Sequence, residues 1–530
     1  MNLQQLPLEL SGVLNALAKD YFLGKDDIIE FSRGSSSDEE IAEMFDSQSF
    51  KMTDRAILAN ELERQYQHLR IDQKVGSNLQ LLKEGTSFTV TTGHQLCLFT
   101  GPSYFIYKII SVIAECNRLK NKFPEYHFIP VYWMATEDHD REEINHTYLY
   151  GKKITWDTNQ SGRVGEFKLS GLDEVLQSFL GILGDTHLSN YLRGILEDAL
   201  RNCDDLSSFT RFYLNELFGK YGLLVLDGNT TSLKTQFKNE ISRELFQQIG
   251  FKTVNQRTSK LQSLGYKPQI NPREINLFFC ESGLRERIVH ENNRFVINNT
   301  SLSFSFEEMS KILEEFPEKF SPNVVLRPLY QQKILPNVIY CGGPAELSYW
   351  LQLKNYFLEF GIEFPVLKFR MFFVIMDQVH LNRWSDFGFS LKDFFLEDEL
   401  LKKMWVKNKY EDVELVSQKE KIQQLFDEIK RMVARIDTTL EGTVESERQK
   451  SLVSMNTLEK KINRSLANKN EVLLSQIVKT KQKVMPSGVF QERYENFFAL
   501  VNKYGIELID ELILMDENRL LNKNLNFIGI

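Results

Sequence analysis

Residues 88 to 135 constrain the fold more than any other stretch. Phe88 to Thr92 reads as a short strand that runs into a polar loop, T-G-H-Q. A helix opens near Pro102, where proline suits the first turn because its missing N–H has no partner there. Phe105, Ile106, Ile109, Ile110 and Ile113 then recur at helical spacing. The run Phe128 to Ala135 is nearly all apolar, as in a parallel strand covered on both faces. Strand, helix, strand in this order predicts an α/β fold with a parallel sheet, and such sheets bind ligands beyond the carboxyl ends of their strands.

Both polar clusters of the unit fall at those ends: Thr92-Gly93-His94-Gln95, and Glu137-Asp138-His139-Asp140 followed by Asn145 and His146. Histidines, acids and a glutamine at adjacent strand ends suit chemistry better than a solvated turn. The helix that starts after Gly101-Pro102 offers unpaired N–H groups to an anion. On it Tyr104 and Lys108 lie four residues apart and share a face, so Lys108 is placed to hold that anion. The pattern is neither G-x-G-x-x-G nor a P-loop. Cys97 reads as a packed small side chain.

Further along, I-T-W-D and G-E-F-K-L (within 148–200) read as edge strands, and Tyr221 to Gly228 as a third buried strand. Its Asp227 either faces the ligand crevice or caps a helix. Ile275–Cys280, Arg287–His290 and Phe295–Ile297 form a meander of short strands. The strand, glycine-proline turn, helix plan then repeats: strand Val338–Cys341, turn Gly342-Gly343-Pro344, and a helix over Ala345–Phe360 carrying Glu346 and Tyr349 in its first turns. Arg327 precedes a proline, which predicts extended backbone; its guanidinium either clamps a carboxylate or pairs with a helix acid. Pro365 to Met376 supplies one more apolar strand.

The character changes at about residue 390. Ile422, Leu425, Ile429, Met432 and Ile436 step by three and four like a coiled-coil seam, and after a break at E-G-T (441–443) a second helix carries Met455, Leu458, Ile462, Leu466, Leu473 and Ile477. An antiparallel hairpin of this kind buries little alone, which points to self-association. The chain thus divides into a core (1–389), a coiled-coil arm (390–485) and a helical tail that packs back on the core (486–530), where Arg493 either touches a nucleotide or, the favoured reading, covers the core.

A net charge of −8 argues against a general nucleic-acid binder. The N-terminal residues lack a signal-peptide pattern and no run reaches the roughly 18 apolar residues of a membrane span, so a cytoplasmic protein is expected. Five scattered cysteines make neither a disulfide framework nor a cysteine-rich zinc site. His139 and His146 with nearby acids lack a recognised ligand spacing, so no metal site is predicted.

Five motifs in order, T-T-G-H-Q-L-C-L-F-T-G-P-S-Y-F-I-Y-K, W-M-A-T-E-D-H-D-R-E-E-I-N-H, L-R-P-L, C-G-G-P-A-E-L-S-Y-W-L-Q-L-K and M-P-S-G-V-F-Q-E-R, resemble the bacillithiol-biosynthesis cysteine-adding enzymes over nearly the whole chain. The resemblance implies a Rossmann-like core related to class I synthetases and nucleotidyltransferases, a coiled-coil arm that makes a homodimer, and addition of cysteine to glucosaminyl-malate. Amide formation needs an activated acyl group, for which ATP with Mg2+ is the usual source, as an acyl-adenylate or acyl-phosphate. On this reading Thr92, Gly93, Gln95, Gly101, Tyr104 and Lys108 receive the anionic part of the adenine nucleotide or the malate. Glu137, His139 and Asp140, with His94, are the catalytic candidates, and Asn145, His146, Arg327, Gly342, Gly343, Glu346 and Tyr349 line the rest of the crevice. Where the family usually reads threonine-glycine-glutamine-glutamine, this chain has His94 before Gln95. The rival readings are a non-catalytic nucleotide-binding scaffold and a synthetase-like ligase with another amine acceptor; a tRNA-directed synthetase would need a basic anticodon-binding region that is not visible.

Overall fold

A computed structural model describes residues 1–410, 415–515 and 521–530. It divides into two compact units. The larger comprises Gln4–Val374 with Glu492–Phe527, and the smaller comprises Ile375–Gln491 with the two chain ends. Residues 411–414 of the expected arm and 516–520 of the expected tail lie outside the described residues.

The larger unit is built on a parallel sheet of β1 (Ser87–His94), β2 (His127–Met134), β3 (Leu224–Asp227), β4 (Asn337–Gly342) and β5 (Val366–Phe369), in the order β5-β4-β1-β2-β3. β1 and β2 pair from Ser87 opposite His127 to His94 opposite Met134. The helix α1 (Tyr104–Lys122) connects them, and its residues Phe105 to Cys116 are buried without a break, so it is enclosed on all sides rather than laid on one face. β2 is buried from Phe128 onward, as its apolar run requires. A second, antiparallel sheet is inserted between β3 and β4, with strands Leu277–Glu281, Leu284–Glu291, Arg294–Ile297, Ser303–Phe304 and Phe320–Pro322.

Several local expectations fail for identifiable reasons. G-E-F-K-L is not an edge strand: Val164–Glu166 is a 3-10 turn whose Val164 and Gly165 N–H groups donate to Asp138 O and Thr136 O at 2.7 and 2.9 Å. A Cβ on Gly165 would lie 2.5 Å from Thr136 Cβ, so only glycine permits this docking. Arg327 is not extended but opens α2 (Arg327–Ile334), its N–H donating to Asn323 O at 2.8 Å. The bias against helix before a proline is outweighed by the contacts of its side chain with Gln331 and Tyr349. The helix expected over Ala345–Phe360 is two, α3 (Pro344–Trp350) and Lys354–Glu359. Between them the buried Gln352 accepts from Gln269 N and Ile270 N at 2.9 and 3.1 Å, which draws the chain out of helix. The strand Pro365–Met376 is likewise split into β5 and Phe372–Met376. Arg370 sits at the break, 1% exposed, and forms a two-pronged ion pair with Glu492, 0% exposed.

In the smaller unit α4 (Val416–Ala434) and α5 (Glu441–Lys469) run antiparallel, joined across by Lys419–Glu459 and Arg448–Asp427 ion pairs at 2.7 and 3.2 Å. E-G-T is not the break; it lies in the first turn of α5. The chain reverses at 435–440, where the Asp437 side chain accepts from Thr439 N. Neither helix has a buried residue, and Leu425, Met432, Val453 and Leu458 are all exposed.

Removing one member of a fully buried ion pair strands the other charge, at a cost of about 3–5 kcal/mol. Glu492→Gln should lower stability by that amount in urea denaturation, and the double variant Arg370→Met, Glu492→Leu should recover most of it. A loss below about 1 kcal/mol in Glu492→Gln would contradict this account of the pair.

Candidate active site

A cavity of about 770 Å³ opens at the carboxyl edge of the parallel sheet. Its walls include Gly93, His94 and Gln95 after β1, Glu137, Asp138 and His139 after β2, Gly343 and Glu346 after β4, and Arg370 after β5. Tyr104 and Lys108 reach it from α1, Arg327 from α2 and Tyr349 from α3. The antiparallel insertion adds Phe278, Arg285 and Arg287.

The first cluster is held by α1. Lys108 Nζ, buried, donates to Gly93 O at 2.9 Å and pairs with Glu346 at 2.7 Å. Burial lowers the Lys108 pKa, and Glu346 acts in the opposite sense. Glu346 also accepts the Gly343 N–H at 2.7 Å. The start of α3 is therefore already capped by a carboxylate, and Lys108 is committed to the protein rather than left free for an anion. His94 packs against the Tyr104 and Phe105 rings, each at 5.0 Å between centroids. Burial, with Lys108 and Arg370 nearby, holds its imidazole well below the ordinary value and hence neutral at pH 7.

The second cluster is a set of satisfied acids around one histidine. Gln95 Nε2 donates to Asp138 at 2.8 Å and also to Glu143. Burial alone would raise the Asp138 pKa; the Gln95 amide, Arg285 and the backbone N–H groups of His139 and Asp140 bring it below the usual carboxylate value. Glu137 pairs with Lys234 at 2.6 Å, and Lys234 is fully buried. His139 Nδ1 lies 2.5 Å from Arg285 Nη1. A guanidinium only donates, so Nδ1 accepts and the ring proton sits on Nε2. Burial and then Arg285 lower the His139 pKa, which keeps it neutral. To accept a proton through Nδ1, His139 has to give up the Arg285 contact.

Of the seventeen residues that the sequence assigns to the site, eleven share this cavity: Gly93, His94, Gln95, Tyr104, Lys108, Glu137, His139, Arg327, Gly343, Glu346 and Tyr349. Six do not. Thr92 donates to Cys341 O at 2.8 Å and ties β1 to β4. Gly342 accepts from Arg370 N at 3.0 Å. Asp140 caps the short helix Arg141–Ile144. Asn145 O accepts from Trp156 N at 2.7 Å, and His146 begins the strand His146–Leu149. Gly101 closes a strained loop in which Phe99, Thr100 and Gly101 all have positive φ (47°, 71° and 53°); a Cβ on Gly101 would lie 2.3 Å from Cys97 Cβ. The start of α1 is tied to the C-terminal segment, Ser103 N donating to Glu495 O at 2.9 Å. Asp227 accepts from Thr136 and from Asn229 N, bracing the neighbouring loops instead of facing the crevice.

Sequence reasoning placed Asp138 in the second cluster without giving it a role, missed Arg285 and Arg370 as wall residues, and favoured a covering role for Arg493, which lines the cavity. Arg370 did leave a signal: with Lys368 it is one of two charges inside the otherwise apolar run Val366 to Met376. Arg327 pairs with no carboxylate among the described residues: it donates to Gln331 Oε1 and Tyr349 OH at 2.9 and 3.0 Å. Arg370 Nε is buried without an acceptor. Among the described residues no group of three or more His, Cys, Asp or Glu side chains is arranged to hold a metal ion.

Two family models match the chain: bacillithiol biosynthesis BshC, N-terminal Rossmann-like domain, over residues 1–371, and the C-terminal coiled-coil domain of the same family over 373–522. The chain belongs to the BshC family. Its relatives, each named "Putative cysteine ligase BshC", include those of Flavobacterium psychrophilum (38% identical, 95% of each chain covered) and Cytophaga hutchinsonii (38%, 86% of each). A more distant one from Bacillus cytotoxicus is 27% identical over 88% of this chain and 90% of its own length. The Rossmann-like match covers all the cavity residues except Arg493, which falls with α4 and α5 in the coiled-coil match.

A histidine held neutral in the fold contributes stability at and above its unfolded pKa, and that stability is lost as pH falls below it, because the unfolded chain takes up a proton that the folded chain refuses. For partly buried His94 this amounts to at most about 1.4 kcal/mol per pH unit below about 6.5. His94→Gln should therefore lose less stability than the parent between pH 6.5 and 5 in urea titrations; parallel pH profiles would place His94 in a solvated setting.

Proposed function

We propose that the chain is an amide-forming cysteine ligase that adds L-cysteine to glucosaminyl-malate, the last step of bacillithiol biosynthesis, in the cytoplasm and with ATP and Mg2+ activating the cysteine carboxylate. The observation that carries the reading is the cavity: buried cations with unused donors, gathered at the strand ends of a chain whose relatives are named as cysteine ligases. Carboxylate activation by ATP brings two anions together, so it needs a site rich in positive charge. Arg370 and Arg493 lie 5.4 and 5.8 Å from the centre of the Tyr104 ring. With Arg327 they suit a polyphosphate, and the unpartnered Arg370 Nε supports the fit. Arg327, Arg370 and Arg493 would hold the phosphates, and the bound nucleotide supplies the activated acyl group.

The sugar amine must lose a proton as the amide bond forms, a task for a base near neutral pH. Of the four acids and bases after β2, Glu137 is tied to Lys234, Asp138 to Gln95 and backbone N–H groups, and Asp140 to its helix. His139 is neutral and lines the cavity, and it is the residue assigned this role, with Nδ1 taking the proton once its contact with Arg285 is released. Gln95, fixed between Asp138 and Glu143, keeps the adjoining loop in place. The exposed apolar residues of α4 and α5 support a homodimer through the coiled coil, since pairing would remove them from water.

Mass spectrometry of the purified protein with cysteine, glucosaminyl-malate and ATP-magnesium should detect a product heavier by one cysteinyl unit, and only when nucleotide is present. His139→Ala should lower the ligation rate by about 100-fold or more without changing the melting temperature. No product under either condition would reject the reading for this acceptor, and full activity of the variant would remove His139 from the mechanism.

A further inference from the structure

We infer that the Arg285 end of the cavity is a carboxylate-binding subsite, distinct from the cations around Tyr104. Arg285 is 8% exposed, on the strand Leu284–Glu291 of the antiparallel insertion. Its Nε donates to Ser321 Oγ at 3.0 Å, its Nη2 to Pro322 O at 3.2 Å and its Nη1 to His139 Nδ1 at 2.5 Å. All three acceptors are neutral, and among the described residues no carboxylate pairs with the guanidinium. Asp138 is close enough to act on it electrostatically, but its own oxygens are taken by Gln95 and by backbone N–H groups. Burying a guanidinium without a counter-ion is unfavourable, and an incoming anion offsets that cost.

The donor count sets the class of anion. Three of five N–H groups are used, which leaves one on each terminal nitrogen, the number a carboxylate takes in a two-pronged contact. The group is held for such a contact: its plane lies over the Phe278 ring, 3.9 Å from the centroid. Arg287, two residues along the same strand, shares that face and also lines the cavity. A polyphosphate is better matched by the cations grouped around Tyr104. At Arg285 one buried positive charge has Asp138 and Glu137 as its neighbours, so a singly charged group is favoured.

The existence of this subsite does not depend on the proposed ligase activity; only the identity of the carboxylate does, and the amino acid and the malate moiety each carry one. Isothermal titration of the full-length protein with L-malate and, separately, with L-cysteine distinguishes the two sources. At least one probe should bind the parent protein, and Arg285→Gln should weaken that probe tenfold or more while ATP binding changes less than twofold. Arg285→Lys, which keeps the charge but loses the planar fork, should also weaken it and serves if the glutamine variant does not fold. Binding unchanged in both Arg285 variants but lost in Arg327→Gln would overturn the assignment, as would a parent protein that binds neither probe. Arg285-dependent binding without any ligation product would keep the subsite and reject the ligase; ligation with unchanged KM in Arg285→Gln would do the reverse.

Discussion

The ion pair between Arg370 and Glu492 has no access to water, and much of the larger unit is arranged by it. It ends β5 where an apolar run would otherwise continue, and it fixes a segment from far along the chain against the sheet edge. That segment carries Arg493 to the cavity and Asn496 to the strained loop. Asn496 Nδ2 donates to Phe99 O and Thr147 Oγ1 at 2.6 and 2.9 Å, and its Oδ1 accepts from Thr100 Oγ1 at 3.3 Å. Left-handed backbone at Phe99 and Thr100 costs of order 1–3 kcal/mol per residue, and these bonds hold it there. The loop in turn sets the start of α1, and so the positions of Tyr104 and Lys108.

The cavity combines two kinds of charged group. Lys108, Lys234, Glu137 and Glu346 are paired with one another and act as a scaffold. Arg285, Arg327 and the Nε of Arg370 keep unused donors facing the interior. Burial in a low-dielectric setting strengthens whatever anion contact those donors make. The same burial keeps His94 and His139 uncharged, so the positive character of the site comes from guanidinium groups, which do not titrate near neutrality.

The parallel core was legible because period and polarity change sharply at its strand ends: β1, α1, β2, β3 and β4 all lie where apolar runs and glycine turns put them. Local pattern failed where a distant partner decides the structure. G-E-F-K-L has strand-like alternation but is captured by the loop after β2. Arg327 has a proline after it but is held in helix by its surroundings. Arg285 meets His139 across 146 positions, and Arg370 meets Glu492 across 122. Nothing in the spacing of those residues announces either contact. The cation-rich half of the site was therefore underread, while the strand-end clusters were found but included six residues that serve turns, caps and strand ties.

The central claim is that ligands of this BshC-family chain bind in the cavity at the sheet edge of the larger unit. Hydrogen exchange of the full-length protein with and without ATP-magnesium and L-malate tests it most directly. The account predicts slowed exchange confined to the loops at residues 94–98, 135–140, 322–327 and 342–345 and to the segments around Arg285, Arg370 and Arg493. Protection confined to residues 375–491, or none at all, would contradict it.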